Sequence, residues 1–438
     1  MRILHYTLGF PPYRSGGLIN YATGIIEEQA LLGHEVYVLY PGNLDITRRT
    51  KIIENNKDRH IYKVFELRNS LPLAVFKGIK NPDEFMKQVD KQIYTDFLKK
   101  INPEIIHIHT IMGIHQEFFL AAKELSIKLL FTTHDYFGLS PEPNFYLNGT
   151  SFDKNNTIDN WIEVSKGALP TWKLRILQTN MYPLIRYLGK KIKKKKNVFL
   201  KKNIKLEKKE KNKTLDLSRS SQRDRYVCLK SYYEKIFSLI DFFHYNSNLS
   251  KEVYEYNIPS IRGQVIPITL KYLDEIKPKT KNKSKKVRIA YIGPDKEFKG
   301  FDEFKKISNL MARDDYEFHT YGYDVQETIS NIIQHGRYTP YELSNIYADI
   351  DILLVMSKWK ETFGLTVIES INLDTPVFVS ECVGAKDLLN SNSIYENLAQ
   401  LKKKIEEIES YYKIQEKYLP FSEHCNSIIK LYSVVKKK

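Results

Sequence analysis

Cysteine is scarce in this chain: there are three, Cys228, Cys382 and Cys425, odd in number and widely spaced. That pattern excludes a disulfide framework and a thiolate metal cluster, and a reducing cytoplasm is the expected setting. Long apolar runs are also missing, since no stretch approaches the roughly 20 residues that cross a bilayer. The opening MRILHYTLGFPPYRSGG has one early charge and a short apolar run that stops at Pro11-Pro12. It reads as a strand, not a signal peptide. No recognisable nucleic-acid module accompanies the basic residues, so no nucleic-acid partner is expected. The expectation is a soluble or peripheral protein, and 438 residues suit two domains of roughly 200 residues each. The net charge is +16, but residues 190–213 hold 13 Lys against 2 Glu, which is +11 and leaves +5 for the rest. The basicity is therefore local.

Short apolar runs alternate with helical periodicity along the chain. Residues 2–6 read as a first buried strand, 9–17 (GFPPYRSGG) as a turn-rich loop, 18–32 as a helix and 35–40 as the next strand. This βαβ opening predicts a doubly wound sheet. Strand patterns follow at 105–110, 128–133, 242–246 and 263–267, with a helical pattern at 116–125. Residues 271–286, with Pro278 inside, have linker composition, and a second α/β pattern begins at Val287. Helical patterns close the chain at 395–417 and 421–438. The expected domains are 1–270, with an insertion at 144–233; a linker, 271–286; a second lobe, 287–420; and a last helix, 421–438.

The richest segment chemically is ETFGLTVIE, Glu361 to Glu369. It lies between the buried-strand runs 350–356 (IDILLVM) and 376–380 (PVFVS), so it forms the loop and helix of a strand-loop-helix-strand unit. Such a loop falls at the carboxyl end of the sheet, where open α/β sheets bind ligands. Phe363, Gly364, Leu365 and Thr366 would offer backbone amides to an anion at the helix start. On a fully helical path the two carboxylates stand about 12 Å apart, too far to share a proton. One carboxylate would then read hydroxyls on each side of a phosphate, which is the layout of a nucleotide-sugar. The plain alternative is a first-turn helix charge and a solvated helical residue.

The stretch 336–388, GRYTPYELSNIYADIDILLVMSKWKETFGLTVIESINLDTPVFVSECVGAKDL, resembles the donor half of glycosyltransferase family 4, retaining enzymes of the glycosyltransferase-B fold. The opening HYTLGFPPYRSGGLINYATGIIEEQALLGHEVYVLYPG resembles that family's start. The resemblance implies an α/β fold of two Rossmann-like lobes, here with a helical insertion in the N-terminal lobe, and a last helix that crosses back to the N-terminal lobe. It implies a nucleotide-diphospho-sugar donor, with Glu369 on the nucleotide ribose and Glu361 on the donor-sugar hydroxyls. It puts Gly16 and Gly17 near the donor diphosphate, His134 beside the donor sugar, and Gly384 and Ala385 where backbone bonds that sugar. In GPDKEFKGF, Gly293, Lys299 and Gly300 match the phosphate-binding pattern, while Pro294 stands at the usual arginine, which Lys296 could replace. Lys299 would stabilise the leaving diphosphate as a point charge, and His134, Glu361 and Lys299 form the catalytic set. Transfer would proceed by same-face attack with retention, without a metal or other cofactor.

Three features are weighed separately. Asp349-Ile350-Asp351 matches the metal-holding DxD pattern by accident, since it stands at the start of a strand, far in sequence from the ligand end. His107 and His109 alternate onto one strand face, and at least one reads as an ordinary hydrogen-bonded residue. Between Trp172 and Lys213, aromatic and aliphatic residues followed by the lysine run suit an anionic membrane surface or a solvated charge run equally. The expected function is hexosyl transfer to a glycan or lipid-linked acceptor in cell-surface polysaccharide synthesis, in the cytoplasm or on the inner membrane face. Rivals are another enzyme of the same fold, such as an epimerase or phosphorylase, and a catalytically silent subunit that docks a partner enzyme at the membrane.

Overall fold

The computed structural model describes every residue except 12–13, 15, 46, 48, 56–59, 75–76, 180–214, 408–418 and 438. The first lobe is built on an eight-stranded sheet. Its strands are β1 (Arg2–Tyr6), β2 (Glu35–Pro41), β3 (Lys51–Glu54), β4 (Lys63–Arg68), β5 (Ile105–Ile108), β6 (Lys128–Thr132), β9 (Phe242–Tyr245) and β10 (Gly263–Val265), in the order β10-β9-β6-β5-β1-β2-β4-β3. Between β6 and β9 lies a small hairpin of β7 (Tyr146–Leu147) and β8 (Thr150–Ser151). Within the large sheet all neighbours are parallel except β3 and β4. The central strands are buried apart from the first residues of β1 and β6, Arg2 and Lys128, as expected of a parallel sheet covered on both faces.

The second lobe carries β11 (Val287–Ile292), β12 (Tyr316–Tyr321), β13 (Ile333–Gln334), β14 (Ile352–Val355), β15 (Val377–Ser380) and β16 (Ile394–Tyr395), all parallel, in the order β13-β12-β11-β14-β15-β16. Strand order reverses between β11 and β14, and in the first lobe between β1 and β5. The fold is the expected α/β pair of Rossmann-like lobes, and the carboxyl ends at these reversals are where such sheets take ligands.

The lobes share one apolar cluster. It holds Ile3, Tyr21 and Ile25 of the first lobe, Phe363, Val367 and Val379 of the second, and Phe421, Cys425, Ile428 and Leu431 of the last helix, Phe421–Lys437. That helix returns to the first lobe, where the Tyr21 hydroxyl meets His424 Nε2 at 2.9 Å.

Several elements differ from expectation. Residue 395 ends a strand and starts no helix: Tyr395 pairs with Ser380, and the helix begins at Leu398, capped by the Asn397 side chain accepting from the Gln400 N–H at 2.9 Å. The linker is pinned to the second lobe, with the Lys281 ammonium donating to the carbonyls of Tyr347 (2.7 Å) and Ile350 (2.8 Å). The insertion opens with the β7–β8 hairpin and the helices Ile158–Ser165 and Thr171–Leu177. Its expected end at residue 233 falls inside the helix Leu215–Ser238, whose Leu229, Tyr233, Ile236 and Phe237 are buried in the first-lobe core. The lysine run 190–213 lies outside the described residues, as does the end of the 395–417 helix. Among the described residues no helix is long and apolar enough to cross a membrane.

Candidate active site

Gly300 is where the loop after β11 turns. Its φ is +80°, and a Cβ there would stand 1.8 Å from the carbonyl oxygen of Met356, so only glycine lets this loop lie against the end of β14. The close approach delivers Lys299, at the end of a 3₁₀ turn, to the first residues after β14. Its ammonium pairs with Glu361 Oε1 and lies 5.3 Å from the centre of the Trp359 ring. The other Glu361 oxygen accepts from the Ser357 hydroxyl. A charge-assisted cluster of lysine, glutamate and serine thus occupies the second-lobe reversal point.

The backbone after Glu361 is held just as firmly. Its N–H donates to the Cys382 carbonyl at 2.8 Å, and Gly384 and Ala385 donate back to the carbonyls of Glu361 (3.0 Å) and Phe363 (2.6 Å). Gly364, with φ +108°, precedes the helix Leu365–Asn372, so the amides at residues 364–366 open a helix and have no carbonyl four residues back. The residues that carry them line a cavity of about 310 Å³, at the lower end of the range for small-molecule sites, roughly 300–1,000 Å³. Lys299, Glu361, Ser357, Trp359 and residues 362–366 line it from the second lobe; Gly17, Leu18, His134 and Asn246 line it from the first.

The lobes touch around this cavity. The Thr362 hydroxyl donates to the His134 carbonyl at 2.8 Å, and the Ser247 hydroxyl to the Thr362 carbonyl at 2.8 Å. Lys360 pairs with Asp153 at 2.6 Å. A Cβ on Gly17 would meet Leu365 Cδ1 at 2.5 Å, so the starts of the helices Gly17–Leu31 and Leu365–Asn372 pack against each other there. Gly16 supplies the positive φ (+126°) before the first of them and is not among the cavity-lining residues.

Glu369 and Gly384 take other positions. Glu369 is buried behind the helix start, and its oxygens accept from the hydroxyls of Tyr272 (2.5 Å) and Tyr347 (3.5 Å). Burial pushes its carboxyl up to about 7, against the two tyrosine hydrogen bonds. Gly384 packs between the lobes, and a Cβ on it would come within 2.4 Å of Ser247 Oγ and 2.5 Å of the Thr362 carbonyl oxygen. His134 is half-buried at the cavity wall, and desolvation drives its imidazole down to about 3, so the ring is neutral.

Pro294 lines the cavity, whereas Lys296 does not and instead pairs with Asp295 at 3.5 Å. Asp351 is occupied by a two-point pair with Arg288 (2.9 and 3.0 Å), and Asp349 stands 3.7 Å from the same guanidinium. Sequence reasoning missed Ser357, Trp359, Thr362, Asn246 and Tyr272. Ser357 and Trp359 stand directly after an apolar strand run, a legible position, but nothing local marks Tyr272 in a segment of linker composition.

Residues 274–422 match the family model described as Glycosyl transferases group 1. A curated relative, an uncharacterized 42.6 kDa protein in the cps region of Klebsiella pneumoniae, is 22% identical over 404 residues, covering 89% of this chain and 87% of the relative. Among solved structures, a glycosyltransferase from Rickettsia africae ESF-5 aligns with TM-score 0.57 at 15% identity, over 100% of this chain and 99% of that one. The catalytic domain of starch synthase IV from Arabidopsis thaliana, bound to ADP and acarbose, aligns with TM-score 0.52 at 11% identity, again over 100% and 99%. These structures share the fold, the glycosyltransferase-B arrangement of two lobes about a cleft.

Proposed function

We propose that this protein is a retaining, metal-independent glycosyltransferase that moves a hexosyl group from a nucleotide-diphospho-sugar to a glycan or lipid-linked acceptor in cell-surface polysaccharide synthesis. The observation that carries the reading is the convergence, in one cavity at the second-lobe reversal point, of the Lys299 ammonium and the helix-start amides at 364–366. Both favour negative charge where a leaving diphosphate develops it. Glu361, beside them, would accept from donor-sugar hydroxyls, releasing Lys299 to the phosphates as the donor enters. A carboxylate has about four lone-pair sites, so Glu369 has capacity beyond Tyr272 and Tyr347 for a ribose. His134 and Gly17 would close the reaction side, and the leaving phosphate would take the acceptor proton in same-face transfer.

The group 1 match over the second lobe and the cps-region relative support this class and setting. A membrane site for the insertion, through Trp172 and the lysine run, belongs to the same proposal: Trp172 is 61% exposed, and sedimentation with anionic but not neutral vesicles is the expected result. Pro294 supports a second reading, a donor-binding subunit without turnover, because no cationic side chain stands at that point. The deciding experiment measures nucleotide release from UDP- and GDP-sugars, beside thermal-shift binding, for wild type, Glu369→Ala and Lys299→Ala. Release from one donor that both substitutions abolish is expected. Binding without release, even with a membrane extract as acceptor, would favour the silent subunit.

A further inference from the structure

A line of buried hydrogen bonds runs from the cavity across the face of the first-lobe sheet. His134 Nε2 stands 3.4 Å from His109 Nδ1, the longest link. His109 Nε2 meets His5 Nδ1 at 3.1 Å, and His5 Nε2 meets Gln29 Oε1 at 2.9 Å. Gln29 Nε2 donates to the Tyr432 hydroxyl at 2.9 Å, which meets His107 Nδ1 at 2.7 Å. His107 Nε2 reaches Thr132 Oγ1 at 2.7 Å, Thr132 Oγ1 reaches His244 Nδ1 at 2.9 Å, and His244 Nε2 ends on the carbonyl of Ile266 at 2.8 Å. The strands involved, β1, β5, β6 and β9, are neighbours in the sheet, and Tyr432 comes from the returning last helix.

The far end sets the direction of the whole line. A backbone carbonyl can only accept, so His244 carries its proton on Nε2 and Nδ1 accepts. Thr132 must then donate to His244 and accept from His107 Nε2–H. The same logic makes Tyr432 donate to His107 Nδ1, Gln29 donate to Tyr432, His5 donate from Nε2, and His109 donate from Nε2. Each step holds while the rings are neutral, and loss of hydration keeps them so: His5, His107, His109 and His244 are buried, and His134 is half-buried at the cavity wall. His5, His107 and His109 bring nitrogens within 4.8 Å of one another. All six of those nitrogens are spent in these hydrogen bonds, and no set of lone pairs converges on a metal.

We infer that this line fixes the tautomer of His134, holding its proton on Nε2 and leaving Nδ1 as the one ring nitrogen for a ligand, an acceptor only. His109, His5, Gln29, Tyr432, His107, Thr132 and His244 are its positioning residues. Resting on the cavity as the donor site, this means that His134 accepts from a sugar hydroxyl and cannot donate to a phosphate. Both the ring and the last helix then serve specificity for a hydroxyl-bearing group.

The test is the nitrogen resonances of histidine-labelled protein, assigned by single His→Gln substitutions, and it is independent of turnover. In wild type, His5, His107, His109, His134 and His244 are all expected in the Nε2–H form. Thr132→Val, nearly isosteric, removes the hydroxyl that His107 donates to. Because a buried orphan N–H is rarer than an orphan acceptor, His107, His5, His109 and His134 should all change to Nδ1–H, with the Gln29 amide turning over, while His244 stays. Tyr432→Phe should give mixed tautomers at His5, His109 and His134 only. An Nδ1–H or charged His134 in wild type, an unchanged His134 in both variants, or shifts that respond to a chelator would each overturn the assignment. Loss of donor release with these tautomers intact would instead count against the transferase reading alone.

Discussion

Tyr272 and Tyr347 hold Glu369 in a fully buried site, and the consequence is a definite pH dependence. Burial raises the folded-state carboxyl to about 7 from 4.5. A raised carboxyl stabilises the fold fully below the unfolded value, and that contribution is lost as pH climbs from 4.5 through about 7. Over that window wild type should lose up to about 3 kcal/mol relative to Glu369→Gln, at about 1.36 kcal/mol per pKa unit. Urea unfolding of both proteins at pH 4.5, 6 and 8 measures it, and parallel curves would refute it. Lys299 is a contrasting residue, partly exposed and paired with Glu361. On the proposed chemistry, Lys299→Ala should lower kcat about 10²- to 10³-fold while leaving the urea midpoint near wild type, because Ser357 still bonds Glu361. Glu361, Lys299 and the 363–366 turn were legible because their chemistry is local in sequence. Tyr272 was not, since its meaning comes from a carboxylate 97 positions away.

At the scale of elements, the loops do the positioning and glycines set the loops. Gly300 is the sharpest case, with positive φ and a carbonyl where a Cβ would sit. Gly300→Ala should destabilise by about 2–3 kcal/mol, the upper part of the ordinary range for point changes, and should displace Lys299. Calorimetry with donor-release assays would show both, and unchanged release would mean that the loop does not deliver the lysine. The buried strands β1, β5, β6, β11 and β14 were readable as apolar runs of strand length. β13 and β16 were not: each is two residues long and exists only because a neighbour offers hydrogen bonds. The same holds for the 395–417 pattern, where pairing with β15 takes Tyr395 into the sheet and the helix starts later, at the Asn397 cap.

For the whole molecule, the return of the last helix joins the ends of the chain. Phe421, Ile428, Leu431 and Tyr432 are buried on the first lobe, so Ile428→Ala should cost about 2–5 kcal/mol, measured by chemical denaturation. Gly384 tests the cleft. Adding a methyl group there drives into Ser247 and the Thr362 carbonyl, so Gly384→Ala should part the lobes, seen as a larger radius of gyration in solution scattering and weaker donor binding. An unchanged radius would place the group's accommodation within one lobe.

Periodicity and strand-length apolar runs determined the class by themselves, because burial of a parallel sheet demands a pattern that is local and repeats. Local chemistry likewise marked Glu361, Lys299 and the helix start. Only the tertiary structure decided that Lys299 pairs with Glu361, that Glu369 is enclosed by tyrosines, that Gly384 sits between lobes, and that histidine, hydroxyl and amide groups from six segments join in one line ending at His134. Each of those depends on groups distant in the chain competing for the same buried hydrogen bonds, and a hydrogen bond between remote residues leaves no periodic trace in sequence.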